Sequence, residues 1–351
     1  MDSCCKCAQR PAAGNKLRVC SACKSVKYCS RECQRADWVN HKSVCGFFGL
    51  AREQLVVLPL YYAAMEGDVA AVKTLLDRGA KVDKSMIDGR TPLLVSADNG
   101  HDKVVAILLE AGAQVNKAKD DGATPLFLAA LGGYEVILVA LLCAGAAVDK
   151  ATNDGTTPLM IAASEGHDAV AITLLKAGAT VNQVKPNGTT ALHLAAGDIE
   201  SEGDNEVVVR ALLRAGAEVN TRSWQDGATP LMRAAENGNL AVVVALLEAK
   251  AQVNMAKHDS VTALQLAAMN GHQAVVGVLL RGGANVNAVG PFGMTSLIFA
   301  TAQGHQAVVV SLLAAGADVK AANVQGHTAL FVAKRKGHKV LVVLLRRAGA
   351  T

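Results

Sequence analysis

The sequence predicts an all-α solenoid of stacked helix pairs behind a small cysteine-rich finger, and three observations carry that expectation. First, Thr91-Pro-Leu recurs as Thr124-Pro-Leu, Thr157-Pro-Leu, Thr190-Ala-Leu, Thr229-Pro-Leu, Thr262-Ala-Leu, Thr295-Ser-Leu and Thr328-Ala-Leu, in steps of 33, 33, 33, 39, 33, 33 and 33 residues. A fixed period of that size marks a repeat architecture. Second, apolar residues make up 51% of the chain while aromatics reach only 3%. Ala, Val and Leu packed between neighbouring repeats give that composition without a globular centre. Third, eight cysteines and one histidine crowd the first 45 residues.

The finger comes first. Its ligand-type residues pair as Cys4-x-x-Cys7, Cys20-x-x-Cys23, Cys29-x-x-x-Cys33 and His41-x-x-x-Cys45. A C-x-x-C knuckle turns the chain so that both thiolates face one ion, and a spacing of four sets two ligands one helical turn apart. Four pairs make two tetrahedral sites, the closed coordination of structural zinc. Cys5 is left over and competes with Cys4 for the first place. A disulfide framework needs an oxidising compartment, and the start MDSCCKCAQR lacks the apolar run of a signal peptide. The apolar inventory, essentially Leu17, Val19, Val26, Tyr28, Trp38, Val39 and Val44, is too small for a self-supporting core. Metal binding therefore supplies much of the folding free energy, on the order of 10 kcal/mol per structural ion.

The run YCSRECQRADWVNHKSVC at positions 28–45, with the two knuckles upstream, resembles a MYND-type zinc finger from end to end. The resemblance implies two structural zinc ions with interleaved ligands: Cys4, Cys7, Cys29 and Cys33 on one, Cys20, Cys23, His41 and Cys45 on the other. Spacing alone does not choose this over sequential pairing. The family generally binds short proline-rich peptides, and its peptide contacts carry over to Ser21, Gln34 and Trp38. From the residues alone, Trp38 serves equally as a peptide contact or as packing for the miniature core.

Each 33-residue unit can then be taken in order. Thr before Pro suits a helix N-cap with Pro at the first helical position. Small pairs such as Ala129-Ala130 and Ala162-Ala163 let that helix lie close to its neighbours. Gly-His, as in Gly100-His101 or Gly304-His305, marks the turn into a second helix with a Val-Val-x-x-Leu-Leu face. Gly112 or Gly178 then closes that helix in the left-handed conformation. The Asp-Gly or Asn-Gly pairs at 88, 121, 154, 187 and 226 are hairpin-tip chemistry. The pattern resembles ankyrin repeats over about 300 residues. Stepping back 33 from Thr91 lands on Leu58-Pro59-Leu60, a degenerate first copy, so the organisation reads as a finger at 1–45, an ordered connector at 46–57 and nine repeats over 58–351. The connector GFFGLAREQLVV is largely apolar and free of Pro and Ser, unlike a disordered tether.

Binding is expected where copies differ, since shared positions are spent on packing. The 39-residue unit is the largest departure. Its insertion near 197–206 carries Asp198, Glu200, Glu202, Asp204 and Glu206 with no basic residue, and its hairpin gains one residue beside Trp224. The bland reading of the acidic stretch is a solvated insertion. An aromatic on a tip instead suggests a partner contact. His101, His167, His272, His305 and His338 share the Gly-His turn and read as structural hydrogen-bonders, and Cys143 as an inert lone thiol.

Charge is distributed unevenly. Residues 1–45 hold nine basic and three acidic side chains, 46–333 hold 20 and 27, and Lys334, Arg335, Lys336, Lys339, Arg346 and Arg347 form a basic end. A nucleic-acid protein would present one continuous basic track instead. Apolar runs such as 240–247 are too short to cross a bilayer. There is no G-x-S-x-G, H-E-x-x-H or phosphate loop. The reading is a non-enzymatic protein–protein interaction adaptor of the cytoplasm or nucleus: the finger takes a proline-rich peptide and the concave face of the solenoid holds a folded partner. The rival is a zinc-finger transcriptional or chromatin regulator that associates with nucleic acid. Salt-sensitive retention on DNA would favour it.

Overall fold

A computed structural model of the chain describes residues 18–19, 27–28, 59–197 and 205–351. Near the N-terminus, strands Arg18–Val19 and Lys27–Tyr28 pair antiparallel, with Arg18 opposite Tyr28. From residue 59 onward the described chain is helical, with eighteen α-helices in nine successive pairs, from Pro59–Met65 with Val69–Asp77 to Ala329–Lys336 with Lys339–Arg347. First helices pack on the first helices of neighbouring pairs, and second helices on second helices. The result is a two-layered solenoid in which each pair touches only its neighbours, as repeat proteins do.

The repeated residues explain the elements. The Thr91 hydroxyl accepts from the Leu94 amide at 3.2 Å, and Thr124, Thr157, Thr229, Thr262, Thr295 and Thr328 cap their helices in the same way. Each such cap satisfies an amide that the helix itself cannot, typically for about 1 kcal/mol. Second helices end in a Schellman motif. After Asp102–Glu110, the Gly112 amide bonds the Leu109 carbonyl and the Ala113 amide bonds the Leu108 carbonyl, with Gly112 at φ +81°. Lys250 occupies the equivalent place after Leu240–Glu248 at φ +67°, a conformation that costs any residue but glycine.

The core is a continuous seam. Leu108, Leu141, Leu174, Leu212, Leu246, Leu279, Leu312 and Leu345, one per second helix from the second pair onward, are all fully buried, and each contributes about 1.5–3 kcal/mol by leaving water. Paired alanines such as Ala129-Ala130 and Ala267-Ala268 are equally buried, so adjacent first helices approach closely. Among the described residues no helix is long and apolar enough to cross a membrane.

Candidate interaction surfaces

The tips between helix pairs are built by one device. In six of them an Asp or Asn carboxyl or amide oxygen accepts the amide two residues on: Asp88 from Arg90, Asp121 from Ala123, Asp154 from Thr156, Asn187 from Thr189, Asp226 from Ala228 and Asp259 from Val261, at 3.0 to 3.3 Å. This is an Asx turn. Only the following residue, a glycine or Ser260, takes positive φ. The Asp-Gly pairs thus form the tips as the sequence suggested, but not as mirror-image hairpin turns, which need positive φ at the first central position or at both. Each tip is closed by one backbone bond, such as Lys119 N–H to the Ala123 carbonyl. Five are tied to the tip before by another, such as Asn153 N–H to the Asp121 carbonyl at 2.8 Å, while Pro186 and Pro291 at the equivalent positions have no N–H to give.

Tips and first helices enclose an open groove. One cavity of about 480 Å3 is lined by Asp154, Lys185, Ile161, Ser164 and Leu194, and a second of about 350 Å3 by Ser164, Leu194, His193, Gly197 and Arg233. Ile161, Leu194 and Arg233 hold one repeat register, and Ser164 and Gly197 another. The polar side chains here are already engaged. Lys185 pairs with Asp154 at 2.8 Å, and Lys185 with the Thr152 hydroxyl holds that carboxyl well below the usual carboxylate range. Burial alone would raise the Asp226 carboxyl. Hydrogen bonds from Ser223 and the Ala228 amide, together with Lys257 at 3.1 Å and Arg233 at 2.9 Å, hold it far down instead.

His193 is nearly fully buried beside this groove. Its Nδ1 lies 2.8 Å from the Thr190 hydroxyl and its Nε2 3.1 Å from the Ala228 carbonyl. Burial pushes its pKa down, so the ring is neutral with Nε2–H donating to Ala228. With both nitrogens committed, it ties helix Ala191–Gly197 to the next tip and is not free to act as a base. Gln265 performs the same task two units beyond, accepting from the Thr262 amide and donating to the Ala288 carbonyl, each at 2.9 Å. Neither role was read from the sequence. The signal was the register of Leu94, Phe127, Met160 and Met232, where a polar side chain stands out.

The Gly-His turns are structural joints. The Nε2 atoms of His101, His167, His272 and His305 lie 2.9 to 3.0 Å from carbonyls of the preceding repeat. Their rings cover its glycines so closely that a Cβ on Gly238 would meet His272 Nδ1 at 2.4 Å. His338 Nε2 is buried with no such partner.

Of the predicted site residues, the metal ligands Cys4, Cys7, Cys20, Cys23, Cys29, Cys33, His41 and Cys45, the peptide contacts Ser21, Gln34 and Trp38, and Asp198, Glu200, Glu202 and Asp204 lie outside the described residues. So does the 46–57 connector. Glu206 opens helix Glu206–Arg214 and pairs with Arg210, which also reaches Glu248. Trp224 is 63% exposed. Its amide bonds the Asn187 carbonyl at 2.8 Å, and its ring lies over Gly188, where a Cβ would meet Trp224 Cγ at 2.7 Å. The ring thus runs along the row of tips, while its neighbour Ser223 lines the groove.

The family model for ankyrin repeats (three copies) matches overlapping segments that together run from residue 56 to 351, and the model for the MYND finger matches residues 4–45. A SET domain-containing protein 14 of Caenorhabditis elegans is 60% identical over 30 residues, which is 8% of this chain and 7% of that protein's length. The chain thus spans a small fraction of that relative. The crystal structure of the human ASB11 ankyrin repeat domain superposes with a TM-score of 0.56 at 30% identity, covering 62% of this chain and 96% of that domain. Both modules are typically protein-interaction modules, and a MYND finger implies bound zinc. The helix pairs, the Asx-tied tips and these matches together place the chain in the ankyrin-repeat family, with a MYND finger ahead of the repeats.

Proposed function

We propose that the chain is a two-module adaptor, in which the finger captures a short proline-rich peptide and the solenoid holds a folded partner. The observation that carries this reading is the open groove along the tips and first helices, flanked by a second, separate interaction module at 4–45. In the finger, Cys4, Cys7, Cys29 and Cys33 would hold one zinc ion and Cys20, Cys23, His41 and Cys45 the other. Seven thiolates and one imidazole are a fitting donor set for two structural sites. Ser21, Gln34 and Trp38 would line the peptide seat. In the array, exposed Trp224 and the insertion carrying Asp198, Glu200, Glu202, Asp204 and Glu206 offer one contact for an apolar pocket bordered by Lys or Arg. The reading is non-enzymatic and fits cytosol or nucleus, where thiolate zinc sites persist.

The test uses the full chain as bait, once intact, once with the finger disabled by Cys29→Ser, and once with Trp224→Ala plus serines in the insertion. Two partner sets, each lost with a different lesion, support the adaptor. One set insensitive to the finger lesion leaves a single-module binding protein, and no specific capture by either module sinks the reading.

A further inference from the structure

The ion pairs of the array stop well before its end. Among the described residues every salt bridge joins side chains between Asp88 and Lys257. Residues 282–317 contain no Asp, Glu, Lys or Arg at all, and 318–351 contain one acid, Asp318, against seven bases. Lys334, Arg335, Lys336 and Lys339 are all exposed and in no ion pair among the described residues. The same stretch carries the two most exposed large apolar side chains among the described residues. Phe292 is 77% exposed and Val324 72%, and they sit on adjacent tips joined by the Val324 amide and the Phe292 carbonyl at 2.9 Å.

Phe292 is also strained. It stands at the register where six tips place the Asp or Asn that ties the turn, and it takes φ +55°. The other two non-glycine residues with positive φ among the described residues, Lys250 and Ser260, merely replace glycines, whereas Phe292 precedes one. A bulky residue in that region costs on the order of 1–3 kcal/mol, and such strain clusters at ligand-contacting sites. The groove register continues beneath it. Ile161, Leu194 and Arg233 line the cavities further up the array. Steps of 33 from Arg233 reach Leu266, Phe299 and Val332, an apolar floor, while the Ser164 register reaches Met269, Ala302 and finally Arg335.

We propose that this last third of the groove, with Phe292 and Val324 at its lip and Arg335 at its far end, is the seat of an acidic peptide segment carrying apolar anchors. The proposal deepens the adaptor reading and rests on it. Charge complementarity selects the occupant: carboxylates would find here exposed cations in a stretch whose one acid is Asp318, whereas further up they would meet the acids of Asp121, Asp154 and Asp226. Apolar anchors would supply most of the affinity on the Phe292–Phe299 surface, and the cations chiefly the rate of encounter.

The full chain, titrated by fluorescence anisotropy with a short dye-labelled peptide in which glutamates flank a Leu-x-x-Phe core, tests it. The glutamate peptide should bind at least about tenfold more tightly than its lysine counterpart or a version with alanine anchors. Phe292→Asn and Arg335→Glu should each weaken it about tenfold, while Phe292→Asn leaves or raises the melting temperature. Equal binding of the lysine peptide, absence of binding, or indifference to both substitutions would overturn the proposal. Binding lost only on Trp224→Ala removes this seat but leaves the adaptor reading standing. Failure of that reading shows separately, as loss of all specific capture by the array.

Discussion

The repeats up to Lys257 and those beyond it share one backbone plan and differ in how their tips are finished. Upstream, tip carboxylates are double-engaged: Asp226 holds a turn amide, Lys257 and Arg233 at once, and Asp154 holds Thr156 and Lys185. Each tip also presses on the next, so that a Cβ on Gly122 would meet the Asn153 amide nitrogen at 2.9 Å. Downstream the Phe292 tip lacks the Asx tie and is held instead by Gln265 on the Met294 carbonyl, the cations at 334–339 are unpaired among the described residues, and Gly326 and Gly337, on the last tip and last turn, have open space around them. The difference teaches that stability in this array is concentrated where polar groups satisfy one another. On the proposed reading, exposed apolar and cationic groups are left where a partner would cover them.

The largest expected effect is steric. Gly122→Ala and Gly326→Ala both force a side chain onto positive φ, at about 1 kcal/mol each. Only the first also drives a Cβ into backbone, so we expect roughly 3 kcal/mol lost there against about 1 at Gly326. Denaturant unfolding of the two variants measures this, and equal losses would show that the press of one tip on the next carries no stability.

Acid should separate them next. The Asp154 and Asp226 carboxyls are held below their ordinary range, so their contribution is full above about pH 4 and lost progressively as pH falls below that toward their depressed folded values. His193 is likewise depressed by burial, here toward the neutral ring, and its contribution fades as pH drops below about 6.5. Both losses fall upstream. Segment-resolved hydrogen exchange, corrected for intrinsic rates, should show the repeats around 150–260 loosening on acidification while 282–317, without a carboxylate, holds. His193→Gln, which borrows the tie that Gln265 makes, should remove the first step and keep stability at pH 8.

Smaller effects come from the strained residues. Phe292→Asn, which restores a residue tolerant of positive φ and able to tie its own turn, should stabilise by about 1 kcal/mol. Lys250→Gly should do the same at a helix end. If Phe292→Asn destabilises instead, the phenylalanine is packing rather than waiting for a partner.

Much of the scaffold was legible in the sequence because it rests on local chemistry: Thr caps, glycine C-termini and Gly-His joints each work within one unit or between immediate neighbours. The proposed interaction surface was legible only in part. An insertion and a tryptophan draw the eye as departures in length and residue type, and Trp224 is indeed exposed. Phe292 replaces Asp without changing the period, so its meaning appears only when the register is laid beside the turn geometry. The same holds for His193 and Gln265, whose partners lie 35 and 23 residues away in sequence.

Hydrogen exchange of the full chain with and without the glutamate-flanked peptide tests the central claim most directly. The account predicts protection confined to the tips at 289–294 and 323–327 and to helices Ser296–Gln303 and Ala329–Lys336. Protection centred on 187–233, or spread evenly along the array, would contradict it.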